Sequence, residues 1–244
     1  MSAFTKITAT ETRIYLRTPG AALLGTLFPA LLLTGIGLVP ATRKTSENYG
    51  GLPFLNVWAP SLIVMAITVM GLQVLPSYLA GYRERGVLRR LATTPVHPAN
   101  LLAAQVLINV VVAAVGTALL LVVAALAFDI PGPRDPLGFT AAFLLGTASI
   151  YGFGLLSAAL ARSARAAGGI AMVLFVPAMF FGGVWVPRQF LPDVLKEIGK
   201  YLPPGVQALQ DGWTGAGVQP LQLVVLGAFA VGCGALATKV FRWE

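Results

Sequence analysis

Six stretches of this chain contain no Asp, Glu, Lys or Arg: Thr18–Thr42, Asn48–Tyr82, Leu91–Phe128, Pro136–Ala161, Ala166–Pro187 and Gly212–Thr238. About 20 mostly apolar residues carry a helix across a hydrocarbon core roughly 30 Å thick. Each stretch reaches that length, and several have residues left over for tilt. Only 11% of the 244 residues are charged, against 57% that are hydrophobic, and the mean hydropathy is +0.80. Soluble domains carry about 25% charged residues. Lipid can solvate this much apolar surface and water cannot. The sequence therefore predicts an all-α membrane protein, a single domain over residues 1–244 with six transmembrane helices. The first stretch is expected to stay as a span. It is too long for a signal peptide, and no small-x-small cleavage site follows it before Arg43 and Lys44.

The net charge of +8 raises nucleic acid as a partner, but its distribution points elsewhere. Alternate loops fall into two sets. Residues 1–17, 83–90, 162–165 and the tail from Lys239 hold eleven Lys/Arg against Glu11, Glu84 and Glu244. The segments 43–47, 129–135 and 188–211 hold six Lys/Arg against Glu47, Asp129, Asp135, Asp193, Glu197 and Asp211. All of the excess lies on one face, and the positive-inside bias makes that face cytoplasmic, with both termini inside an inner or plasma membrane. The charge reports topology, and no nucleic-acid partner is expected.

Cys233 is the only cysteine and His97 the only histidine. An intrachain disulfide and a thiol or imidazole metal cluster are thereby excluded. Cys233 lies in the last apolar stretch and is expected to pack there.

Residues 3–17 have a helical period. Lys6, Thr10, Arg13 and Arg17 share one stripe, with Phe4, Ile7, Ile14 and Tyr15 opposite and Glu11 among them. This is an amphipathic helix lying in the membrane interface. Its Glu11 has two outcomes open: reaching back to water, or meeting a cation on a neighbouring protein. Gly146, Gly152, Gly154 and Ala158 give the fourth stretch an edge of small residues for close helix approach. Pro29, Pro60, Pro76 and Pro177 perturb helices that neighbours must repair.

The loop Arg83-Glu84-Arg85-Gly86-Val87-Leu88-Arg89-Arg90-Leu91 reads as a short helix over 83–94 that ends before Pro95 and Pro98. Glu84, Val87, Leu88 and Leu91 fall on one face. A basic helix can rest on anionic headgroups, but a carboxylate within the apolar face suits a protein groove that offers a cation. Pro187, Pro192, Pro203 and Pro204 divide the segment 187–205 into one or two short helices, read either as an external cap or as a lipid-lying surface helix.

The chain has no GxxxxGK[ST] loop, so it is not expected to hydrolyse ATP. None of the six stretches holds an ionisable carboxylate or base of the kind proton-coupled carriers place near the midplane. The clustered His, Asp or Glu of a membrane enzyme and a recognisable ion filter are missing too. What remains is a passive membrane fold that takes its energy from a separate motor.

The interfacial helix, the six spans, the Arg83-to-Leu91 loop with Thr94-Pro95, and the Gly182-to-Pro204 element together resemble type-2 ABC transporter permeases. These include the membrane subunits of drug and antibiotic exporters and of polysaccharide and teichoic acid exporters. The resemblance implies pairing with a second permease copy or paralogue and with cytoplasmic ABC ATPase subunits, which bind ATP and Mg; this chain would bind no cofactor. It makes 83–94 the coupling helix, with Arg83, Glu84, Val87, Leu88 and Leu91 at the ATPase, and makes Glu11 and Arg13 part of a connecting helix. It makes 187–205 the cap over a path for which Trp58, Met65, Gln73, Phe180 and Phe181 are candidate linings. The short loops favour the drug-exporter branch. Export of a lipid-linked glycan and a non-transporting regulatory membrane protein are the alternatives.

Overall fold

The computed structural model describes residues 3–18, 20, 23–87, 90, 98–161 and 163–240. The chain starts with α1 (Ala3–Leu16), and a π-helical turn at Leu23–Leu27 leads into α2 (Phe28–Gly37). Two-residue strands β1 (Thr45–Ser46) and β2 (Leu52–Pro53) pair antiparallel, with Thr45 opposite Pro53. This small hairpin is the only sheet among the described residues of an otherwise helical protein. Helix α3 (Phe54–Thr68), a second π turn (Val69–Val74) and α4 (Leu75–Glu84) follow without a break. The remaining helices are α5 (Pro98–Phe128), α6 (Pro136–Leu160), α7 (Ala164–Phe181), α8 (Asp193–Gly199), α9 (Val206–Thr214) and α10 (Pro220–Val240).

Proline explains both π turns. Its ring crowds the carbonyl four residues back and donates no hydrogen bond to it. Those carbonyls belong to Gly25 for Pro29 and to Leu72 for Pro76, and each residue lies inside a π turn. The wider turn keeps the helix running past the proline.

Among the described residues five helices are long and apolar enough to cross a membrane: Phe54–Glu84, Asn100–Phe128, Pro136–Leu160, Ala164–Phe181 and Pro220–Val240. The first apolar stretch gives a shorter helix, Gly25–Gly37, roughly 20 Å long at the usual rise. Residues 19, 21 and 22 of that stretch lie outside the described residues.

Within the last charge-free stretch the span begins at Pro220, because Gly215 and Gly217 adopt φ of 78° and 87° and end α9. One expected element is corrected. The loop 83–94 is not one helix. Helix α4 continues through Glu84, and Gly86, at φ 68°, interrupts the chain after it. Glu84 therefore terminates the second span and does not share a helix face with Val87. Leu88, Arg89, Leu91 and His97 lie outside the described residues.

Two spans form the centre. The most apolar windows of Phe54–Glu84 and of α6 are 72% and 67% buried, against 28% for α5 and 22% each for α7 and α10. The outer helices turn Val111, Val122, Val173, Val224 and Val231 outward, an apolar exterior suited to lipid or to another apolar helix.

At the central crossing, a Cβ on Gly154 would stand 2.0 Å from the carbonyl oxygen of Gly71. Nearer the hairpin, one on Gly146 would stand 2.1 Å from that of Pro204. With no side-chain atoms between them, the backbones touch, which is what lipid-embedded helices use in place of a hydrophobic driving force. Gly154→Ala is expected to destabilise the protein by about 1–3 kcal/mol, as overpacking does. Gly232→Ala, with open space around the added methyl, should be neutral or slightly stabilising. Thermal unfolding of both variants in one detergent measures the contrast, and equal midpoints would contradict the close crossing.

Candidate functional site

The basic loops gather at one end of the bundle, and the contacts there start from the last turn of α4. Nη1 of Arg83 donates to the carbonyls of Ala158, at 3.2 Å, and Ala161, at the C-terminus of α6. The next residue, Glu84, accepts the backbone N–H of Ala164 at 2.8 Å, the first residue of α7. Ser163 caps the same helix by accepting the N–H of Ala166. A cation at a helix C-terminus and an anion at an N-terminus each oppose the local dipole. Two adjacent side chains thus tie the second span to the turn joining the fourth and fifth. Val87 packs among Ile7, Tyr78, Tyr82 and Leu101.

Glu11 does not reach back to water, which corrects the first of its two expected outcomes; its partners lie within the chain. It is 8% exposed, and its Oε2 accepts from the Tyr82 hydroxyl at 2.8 Å and from Gln105 Nε2 at 2.6 Å. The Tyr82 hydroxyl, whose one proton goes to Glu11, lies 3.2 Å from the Tyr78 hydroxyl, which can donate to its oxygen. The arrangement is three i,i+4 pairs: Glu11 and Tyr15 on α1, Tyr78 and Tyr82 on α4, Gln105 and Asn109 on α5. All of these except Tyr82 line a small pocket. Burial raises the pKa of the Glu11 carboxyl, and the two donated hydrogen bonds offset part of that rise. Burial also pushes the Tyr15 hydroxyl up to about 12. Lys6, Arg13 and Arg17 stay exposed on the opposite side of α1. The sequence signal for this site was an acid on an apolar face, which calls for buried donors; Tyr82 and Gln105 were hidden within apolar stretches.

The candidate path residues are not brought together. Trp58 stacks on Phe54 and donates from Nε1 to the Val184 carbonyl at 3.2 Å. Met65 is buried in α3. Gln73 lies in the π turn, with Nε2 at 3.7 Å from Sδ of Met172. Phe180 and Phe181 meet edge to face at the end of α7. Phe181 lines a pocket of about 110 Å³ with Pro177, Leu202 and Pro203. None of the five lines the cavity of about 650 Å³ that opens at the hairpin end.

That cavity is built by three segments. The start of α3 supplies Asn56, Val57 and Pro60; α9 supplies Gln207, Gln210 and Trp213; the segment from Arg188 through α8 supplies most of the charge. The loop before α6 is fixed to α9 by Arg134 N–H to Trp213 carbonyl at 3.1 Å and Asp135 N–H to Gly212 carbonyl at 2.9 Å. Asp135 then caps α6 by accepting the N–H of Gly138. Arg188 is 7% exposed, and its Nη2 donates to the Lys196 carbonyl at 3.3 Å. Burial lowers its pKa, and the Asp211 carboxylate offsets part of that. Sequence reasoning placed a cap here but not a cavity, because its walls come from segments over a hundred residues apart. Among the described residues no cluster of three or more His, Cys, Asp or Glu could hold a metal ion.

The Glu11 site sets a pH dependence. An acid whose pKa is raised on folding stabilises the fold most below its unfolded value, and that contribution is lost as pH rises through the folded value. Docking of α1 is therefore expected to loosen as pH rises above the ordinary carboxyl range. Glu11→Gln, which keeps an acceptor for both donors, should hold α1 in place throughout. Trypsin cleavage after Arg13 and Arg17, followed across pH in detergent, checks this; the same pH profile for both proteins would contradict it.

The profile of the ABC-2 type transporter family matches residues 2–205. No individual curated protein matches the chain. The matched region takes in α1, the Arg83–Glu84 junction, the central crossing and the segment after α7. This chain is a multi-pass membrane protein and belongs to the ABC-2 type transporter family, as a transport permease that is not itself catalytic.

Proposed function

We propose that the chain is the membrane-spanning subunit of an ATP-driven exporter whose cargo is an amphipathic small molecule such as an antibiotic. It works as a pair of permeases with separate cytoplasmic ATPases, and its basic end faces the cytoplasm. The observation that carries this reading is the Arg83–Glu84 junction, which bonds the end of the second span to both α6 and α7. A stroke delivered to the segment from Val87 to Leu91 then reaches three spans through two adjacent residues. Helix α1, locked to α4 and α5 through Glu11, offers a second surface at the same end, with Arg13 on its outer face. ATP and Mg are held by the partner, since this sequence lacks a phosphate-binding loop.

The purified chain should show no ATP turnover above a mock preparation. Together with its ATPase in nanodiscs, it should support hydrolysis that rises with particular members of an amphipathic compound panel. Glu84→Ala, which removes the acceptor for the Ala164 N–H, should lower that stimulation several-fold while ATPase co-purification persists. Full stimulation in a folded Glu84→Ala complex would overturn the assigned route.

Orientation is tested separately in a Cys233→Ala background. An impermeant thiol reagent applied to intact cells should label a cysteine at Val194 and not one at Arg17, as the eleven-to-six basic asymmetry requires. The reverse pattern would invert the topology.

A further inference from the structure

The cavity at the hairpin end has the size of a small-molecule site, about 650 Å³, within the usual range of roughly 300–1,000 Å³. Its charges do not balance. Arg134, Arg188, Lys196 and Lys200 line it together with only two carboxylates, Asp193 and Glu197. Both carboxylates are already taken: Asp193 pairs with Lys196 at 3.0 Å, and Glu197 pairs with Lys200. Among the described residues no carboxylate lies within ion-pair distance of Arg134 or Arg188.

Arg188 is the sharper case. The residue is more than nine-tenths buried, one amine reaches a single backbone carbonyl, and the other, Nη1, is buried with no acceptor among the described residues. Two glycines lie against this side chain. A Cβ on Gly183, whose φ is 69°, would stand 3.4 Å from Arg188 Cγ, and one on Gly199 would stand 3.9 Å from Nη1. A buried guanidinium cannot shed its proton, and burying it without a counter-ion is costly. Beside these charges the wall is apolar: Leu52, Val57, Pro60 and the ring of Trp213.

We infer that this cavity binds the anionic group of an amphiphile, a carboxylate or phosphate monoester carried on an apolar body, with Arg188 and Arg134 taking the charge and Trp213 and Pro60 the apolar part. This names a ligand class for the export reading and rests on that reading only for placing the cavity on the exit side. The Lys196–Asp193 and Lys200–Glu197 pairs frame the mouth without adding net charge. A cationic amphiphile of the same size meets two arginines that have no ion-pair contact, with Asp211 acting on Arg188 only through space, and is rejected.

The test uses the full chain in phosphatidylcholine nanodiscs, with hexyl phosphate and hexyltrimethylammonium as probes, empty nanodiscs as the blank, and binding followed by calorimetry. Hexyl phosphate should bind saturably, and hexyltrimethylammonium at least about tenfold more weakly, the scale of one charge-assisted contact. Arg188→Gln should weaken hexyl phosphate at least about tenfold, while Lys44→Gln, outside the cavity, leaves it unchanged. If Arg188→Gln does not elute as a folded protein, the exposed Arg134→Gln decides, with a loss of about threefold or more expected. Equal affinity for the two probes, or unchanged affinity in the folded arginine variants, overturns the proposal. Adding phosphatidylglycerol to the discs identifies the source of the anion: competition with hexyl phosphate marks a lipid headgroup, and its absence marks a solute. Either result supports the anion site. No ATPase is present, so a failed coupling assay leaves this measurement standing, and failed binding leaves the coupling assay standing.

Discussion

Arg83 and Glu84 occupy the last two residues of one helix and serve the ends of two others. A helix C-terminus leaves carbonyls without partners and an N-terminus leaves N–H groups without partners. Where the fourth and fifth spans meet, the two kinds of end lie side by side, separated by the turn around Ser163. The cation takes carbonyls of Ala158 and Ala161, and the anion takes the N–H of Ala164. Reversing the order of the two residues would set like charge against each dipole. The second span is fixed at this end by these bonds and at its middle by the Gly71–Gly154 backbone contact. Its position relative to α6 is therefore determined at two separated points, and the outer helices pack around that pair.

The parts of this fold legible in the sequence were those governed by solvent. Charge-free stretches located the apolar helices, and helical periodicity located α1 with its exposed Lys6, Arg13 and Arg17. The alternation of basic and balanced loops separated the two ends that the structure also separates. Geometry set by a single residue was less legible. Gly86 looked tolerable inside a short helix, but its positive φ divides the expected coupling helix and gives Glu84 to the second span. The run from Gly212 looked apolar throughout, yet Gly215 and Gly217 end α9 and leave Pro220 to start the last span. Hydropathy averages over such positions, whereas backbone conformation is decided at one residue.

Pairings between distant segments were least legible. Glu11 finds Tyr82 and Gln105, 71 and 94 residues away. Each looked like an isolated polar residue beside or within an apolar stretch. The cost of an unsatisfied buried carboxyl implied that partners existed, but spacing along the chain did not identify them. The hairpin-end cavity is a stronger instance. Its floor comes from α3, its roof from α8 and α9, and a loop before α6 closes one side. No local pattern encodes such an enclosure.

Among the described Asp, Glu, Lys and Arg residues two are deeply buried, and they show why the ends of the bundle differ in chemistry. Glu11 lies at the basic end and Arg188 at the hairpin end, each less than a tenth exposed. A carboxyl answers burial by holding its proton, and its raised pKa is that response. Glu11 can become neutral, keep one oxygen as the acceptor for Tyr82 and Gln105, and need no counter-ion. A guanidinium has no neutral form within reach of physiological pH. Arg188 keeps its full charge with one carbonyl in contact and with Asp211 near enough to act only through space. Burial therefore closes the site at Glu11, whose carboxyl finds its donors within the chain. At Arg188 it leaves a positive field inside a cavity walled by Trp213, Val57 and Pro60. In such low-dielectric surroundings the field is weakly screened, and the group that best completes it is an anion that arrives from outside the fold.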